Sequence, residues 1–221
     1  MDFRGDICLG MKELMSQYDE LKRLLDSASG ERTVVNWLKE SRENTLVLSR
    51  TVSTFGFPNL VVAEFQLSTD HKADFVLLGR YSGGFSIHFV EVEPPNVPLY
   101  TKKGVPHARL AGAIKQIEDW KSFETTRRVV VIDELEKSFK NRELIWRKSR
   151  VVIENTGKRL HDPAVWLQFY YHIVVGRRHA LSPDETRRKA AEFTHNRIDI
   201  MTFDRLLEYA LNEHGEVTGP G

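Results

Sequence analysis

The sequence predicts an α/β protein, a mixed central sheet flanked by helices with a helical arm at its N-terminus. Three observations carry this. Residues 73–92 read as a β-hairpin: two apolar, β-rich runs joined across Ser82-Gly83-Gly84. Several segments repeat apolar residues at the helical period of 3.6, residues 107–124 most clearly. Two further strand-like runs, 169–176 and 198–203, alternate with helices along the chain, and one sheet can collect all of these strands.

The elements follow in order. Residues 11–26 set Met11, Leu14, Met15, Tyr18, Leu21, Leu24 and Leu25 on one helical stripe, with Lys12, Glu13, Glu20, Lys22 and Arg23 opposite. The stripe fits a helix packed on its own domain, or a short oligomerisation arm close to a heptad pattern. Residues 31–43 form a second helix with Val34, Val35, Trp37 and Leu38 inward, and residues 45–53 alternate loosely as an extended run. The runs 59–67, 73–81 and 85–92 are strands. Pro94, Pro95 and Pro98 then turn the chain off the sheet. The 107–124 helix points Leu110, Ala113, Ile114, Ile117, Trp120 and Phe123 inward. Residues 128–140 continue as helix, although Val129 to Ile132 also reads as strand. Ser182-Pro183-Asp184-Glu185 opens a helix with an N-cap serine, proline in the first turn and acids near the positive end of the dipole. A last helix covers 204–213. The reading divides the chain into an arm at 1–30, a main domain at 31–213 and a flexible tail at 214–221.

Composition bounds the function. The 221 residues are 41% hydrophobic and 29% charged with net charge +1, which describes a globular chain rather than a disordered or strongly basic one. Any nucleic acid must therefore be held by local basic patches, for which Arg127-Arg128, Arg147-Lys148-Arg150 and Arg187-Arg188-Lys189 are candidates. The single cysteine, Cys8, excludes an internal disulfide framework and a zinc-finger site. No run approaches a membrane span and no signal peptide is visible, so the expectation is a cytoplasmic protein with no membrane partner.

The chemistry concentrates in "IHFVEVEPP", residues 87–95. In a strand Glu91 and Glu93 point the same way, into whatever Ile87 and Phe89 face. Two carboxylates in a half-buried place repel, so either one holds its proton or a cation lies between them. Asp74 begins the first hairpin strand where Glu91 ends the second, which brings the two together. Acids at strand ends are also common as solvated groups. The alternative is a hard-cation site: a divalent ion held by Asp74, Glu91 and Glu93 can polarise a phosphodiester.

The ordered set "ADFVLL", "FVEVEPP", "PLYTKKG" and "AIKQIEDW" resembles the PD-(D/E)xK nuclease superfamily and, more narrowly, the nuclease domain of Shedu-type anti-phage defence proteins. "IVVGRR" at 173–178 and "IDIMTFDRLL" at 198–207 are similar to that family's distal strands, and the likeness spans residues 31–212. The resemblance implies a restriction-endonuclease-like fold and a metal-dependent DNA endonuclease using Mg²⁺ or Mn²⁺. It implies DNA as partner and a homo-oligomer as the active form. Asp74 and Glu91 match the metal-binding acids, Gln116 matches the helix glutamine, and Glu31 matches an acid that some members present from the preceding helix. Glu93 stands where the superfamily usually has lysine, as a further ligand or base. Lys115, Lys102 or Lys103 can supply the displaced positive charge, and Arg177 matches a strand-end arginine that can grip phosphate. Two rival readings remain. One is an impaired nuclease fold that binds nucleic acid or a partner protein, and the other is an oligomerisation protein driven by 11–26. His88 alternates away from Glu91 and is not assigned to the site, and His172, inside an apolar strand, reads as a core or surface-face histidine rather than a ligand.

Overall fold

The computed structural model describes residues 17–27, 30–52, 58–81, 83–139 and 160–211. Its elements are helix α1 at 17–26, α2 (Glu31–Glu40), α3 (Arg42–Val52), β1 (Pro58–Gln66), β2 (Lys72–Tyr81), β3 (Gly84–Val92), α4 (Ala108–Phe139), β4 (Trp166–Val174), α5 (Pro183–Asn196), β5 (Ile198–Met201) and α6 (Phe203–Leu211). The five strands form one sheet in the order β1-β2-β3-β4-β5. The β1/β2 and β2/β3 pairs are antiparallel, whereas β3/β4 and β4/β5 are parallel, so the sheet is mixed. Parallel neighbours need long crossovers. The chain between β3 and β4 includes α4, and that between β4 and β5 includes α5.

The sheet has a core on each face. Val76, Ile87, Phe89, Tyr171 and Ile173 pack with Leu110, Ala113, Ile117 and Trp120 of α4. Phe89 is central to this side: its ring lies 6.2 Å from Trp120, 5.7 Å from Tyr171 and 6.0 Å from Phe65. Phe75, Leu77, Val90, Val92 and Val174 pack on the other side with residues of α1, α2, α3 and α6.

One expectation is overturned, and one open choice between helix and strand is decided for helix. Residues 42–52 are helix, not an extended run. The adjacent Leu46-Val47-Leu48 imitates a strand, but Asn44, Val47, Leu48, Thr51 and Val52, with Ser49 beside them, are the buried set, and the apolar members recur at helical spacing. Ser41 starts this helix by accepting the Asn44 N–H at 3.0 Å. Residues 129–132 lie in α4, which bends at Arg127 (φ −130°, ψ 33°). Beyond the bend Val131 and Ile132 are buried, whereas Val129 and Val130 are exposed.

The described part of the N-terminal helix packs on the domain. Leu21 and Leu25 share one core with Val34, Trp37, Leu38 and Leu206. Trp37 Nε1–H donates to Glu20 at 2.9 Å. Met11, Leu14 and Met15 lie outside the described residues, as do the Arg147-Lys148-Arg150 cluster and the 214–221 tail. At α5 the predicted start is present in full: Ser182 accepts from the Glu185 N–H, and the Glu185 carboxylate accepts from the Ser182 N–H. No helix among the described residues is long and apolar enough to cross a membrane.

Candidate active site

The hairpin positions the first two acids. Its register pairs Val76 with Phe89 and Phe75 with Val90. One further step sets Asp74 opposite Glu91. Directly opposed residues of an antiparallel pair share a face, and Val76 and Phe89, two residues away on each strand, both pack in the α4-side core. Asp74 and Glu91 therefore lie on the α4 side of the sheet. At this end of the ladder the Asp74 carboxylate accepts the Val92 N–H at 2.8 Å. Glu93 follows directly, its N–H donating to Val174 O at 2.8 Å, which fixes the strand end against β4. Gln116, two turns into α4, donates from Nε2 to Lys72 O at 3.3 Å, and its amide is near enough to the Glu91 carboxyl group to lower its pKa.

The electrostatics answer the question raised by the E-x-E pair. Burial first, and then the charges of Asp74, Glu93 and Glu31, raise the Glu91 carboxyl to about 9 against the opposing influence of Gln116. Glu91 thus holds a proton at neutral pH in the free protein. Burial first, with Glu31 and Asp74 adding and Arg109 opposing, raises Glu93 to about 7. Asp74 is raised by burial and held back by the Val92 N–H. Among the described residues, Oε2 of Glu91 and Oε2 of Glu93 are buried without a hydrogen-bond partner. Native proteins rarely leave such atoms unpaired, so the donor set fits a missing hard cation. As the side chains stand, no three His, Cys, Asp or Glu residues among those described converge closely enough to grip one ion. Asp74 and Glu91 share the α4 side of the sheet at neighbouring strand ends, and water would have to fill the rest of the shell.

Other sequence candidates fall elsewhere. Lys115 is exposed on α4, one residue and therefore about 100° round the helix from Gln116. Lys103 is exposed in the turn before α4. Arg177 donates to Asp204 at 3.1 Å and lies 3.4 Å from Asp26, with its side chain 14% exposed. It ties β4 to α6 and α1. His88 and His172 lie on the opposite face of the sheet by alternation, both buried, with Nδ1 of His88 3.0 Å from Nε2 of His172. Of the basic clusters, Arg128 pairs with Glu124, Arg187 with Asp184, and Arg188 with the Gly104 carbonyl.

The cation that does face the acids is one the sequence reading passed over. Arg109 Nη1 lies 3.8 Å from Glu93 Oε2 and 3.9 Å from Glu31 Oε2. A signal for it was available. The first turn of α4 holds no acid, and an arginine there opposes the helix dipole unless nearby carboxylates compensate it.

The family model described as "Shedu protein SduA, C-terminal" matches residues 31–207. No curated protein matches the chain. The match runs from Glu31, the first residue of α2, to Leu207 in α6, and so takes in the whole sheet and every acid of the site. The chain belongs to the Shedu SduA C-terminal family of anti-phage defence proteins.

Proposed function

We propose that this domain is a metal-dependent DNA endonuclease of the PD-(D/E)xK superfamily that serves the defence role of its family. The observation that carries the reading is the placement of Asp74 and Glu91 on one sheet face, largely out of water, with Glu91 Oε2 unpaired. Buried like charges are unfavourable unless a cation completes them. Mg²⁺ or Mn²⁺ suits these oxygens. Asp74 and Glu91 would hold the ion, with Glu93 as a further ligand or base. When bound, such an ion polarises the phosphodiester and makes a nearby water more acidic.

The chain's own residues do the rest. Glu91 would have to give up its proton to serve as a ligand, and the neighbouring Gln116 amide, which lowers its pKa, favours that charged form. Glu93, near 7, is matched to take a proton from the attacking water at neutral pH. The water oxygen bonds to phosphorus, the bond from phosphorus to one deoxyribose oxygen breaks, that oxygen leaves as an alcohol after taking a proton from solvent water, and Glu93 returns its own proton to solvent.

The test is cleavage of supercoiled plasmid and short duplex with Mn²⁺, wild type against Glu91→Ala. Metal-dependent cutting by the wild type, lost in the variant, is expected. No cutting by the wild type at any Mn²⁺ concentration would overturn the assignment. A second reading, an impaired nuclease fold that binds nucleic acid or a partner protein, is favoured by Glu93 standing where the superfamily usually has lysine. Duplex binding without metal-dependent cutting would select it.

A further inference from the structure

We propose that Arg109 replaces the displaced lysine as a mobile counter-charge: it covers Glu93 and Glu31 in the free protein and passes to a phosphate oxygen of the substrate when a divalent ion takes the carboxylates. The inference rests on the nuclease reading and assigns a role within that same site.

Four observations support it. The two Arg109 contacts, 3.8 and 3.9 Å, are ion-pair distances and longer than closed charge-assisted hydrogen bonds. The guanidinium thus straddles two acids without being locked to either. Its side chain is 58% exposed, whereas that of Glu93 is 11% exposed. The arginine can turn outward; the glutamate cannot follow. Among the described residues Lys39 and Lys72 also act on Asp74, and both lie beside Glu64, at 3.5 and 3.4 Å. Finally, Arg109, Gly112 and Gln116 lie on one stripe of α4, spaced by three and four residues. Among the described residues nothing stands within 4 Å of where a Gly112 Cβ would be. Glycine inside a helix costs about 1 kcal/mol relative to alanine, and no packing among the described residues requires it here. The stripe leaves open space between a guanidinium and an amide, the setting in which a phosphate backbone can approach closely. Arginine suits the exchange because its planar fork matches carboxylate and phosphate alike.

The experiment measures Mn²⁺ affinity of the full chain without DNA, by the electron paramagnetic resonance signal of free Mn²⁺, and cleavage at saturating Mn²⁺. Removing a positive charge beside the ligands should tighten Mn²⁺ binding about 3- to 10-fold in Arg109→Gln at low salt. The same variant should cut about 100-fold more slowly or worse, with partial recovery in Arg109→Lys. The tightening should shrink when Glu93→Gln is already present, since the arginine acts through that carboxylate. Thermal unfolding of each variant confirms that it is folded. Glu91→Gln serves as the separate arm and should weaken Mn²⁺ binding at least 10-fold. If it does, but Arg109→Gln leaves Mn²⁺ affinity unchanged or weaker, or cuts like the wild type, the Arg109 proposal alone falls. If Glu91→Gln leaves Mn²⁺ affinity unchanged, or neither the wild type nor Arg109→Gln binds Mn²⁺, the carboxylate site falls and the Arg109 role with it.

Discussion

Replacing Glu91 by glutamine tests the site before any reaction is run. In the metal-free protein the Glu91 carboxyl is raised from 4.5 to about 9, chiefly by burial and then by its acidic neighbours. The folded state therefore binds this proton more tightly than the unfolded chain. Between pH 4.5 and 9 the native protein holds more protons than the unfolded one, so stability falls as pH rises through that window. One proton is worth about 1.4 kcal/mol per pH unit. Taken in full, Glu91 lowers stability by roughly 3 kcal/mol at pH 7 relative to acid, where it is neutral in both states. Glutamine keeps the shape and an acceptor for the Gln116 amide and has no proton to lose. Urea unfolding in EDTA from pH 5 to 9 should show wild-type stability declining with pH and a flatter profile for Glu91→Gln, the variant being more stable above neutrality. Adding Mn²⁺ at pH 8 should raise wild-type stability and leave the variant nearly unchanged. Parallel pH profiles for the two proteins would refute the reasoning, because they would mean that Glu91 is not held protonated by its surroundings.

Asp74 has a structural and a chemical role that substitution can separate. Asp74→Ala leaves the Val92 N–H without its acceptor and should cost about 1–3 kcal/mol; Asp74→Asn should keep most of that stability and still abolish cutting. Asp199 governs the acid limb: burial raises it, but contacts with His172, Arg205 and Lys189 win and bring it down to about 2 from 3.8. Arg205, at 3.1 Å, is a closer partner than His172, at 3.5 Å. Its stabilisation, present above pH 4 and lost as pH falls through about 2, amounts to about 2 kcal/mol. Acid unfolding of Asp199→Asn should begin at lower stability and show a shallower fall over that range. Gly176 sits at φ +62°, where an added Cβ would meet Leu99 Cδ1 at 2.5 Å and Val97 O at 2.8 Å. Gly176→Ala should lose about 1–3 kcal/mol in chemical denaturation, from backbone strain and displacement of the 97–99 loop.

Much of this molecule was legible locally. The hairpin follows from two apolar runs and a glycine turn, and its register follows from the turn position. Residue spacing alone therefore sets Asp74 opposite Glu91. The capping box at Ser182 and the α4 stripe that carries Gln116 are likewise properties of neighbouring residues. What sequence could not decide depended on distant segments. Residues 42–52 carry a strand-like apolar run, yet they fold as helix because their buried set meets Leu206 and Phe203 from the other end of the chain. The lysines picked to replace the superfamily's cation proved to be exposed, whereas Arg109 reaches Glu93 because the crossover after the proline turn lays the start of α4 beside the end of β3.

Residue types and their spacing determined which acids face one another. The tertiary structure alone decided how far those acids are removed from water, and which positive charge attends them. The physical reason is range: side-chain alternation and turn geometry act over a few residues, whereas desolvation and charge–charge energies depend on everything packed nearby, whatever its position in the chain.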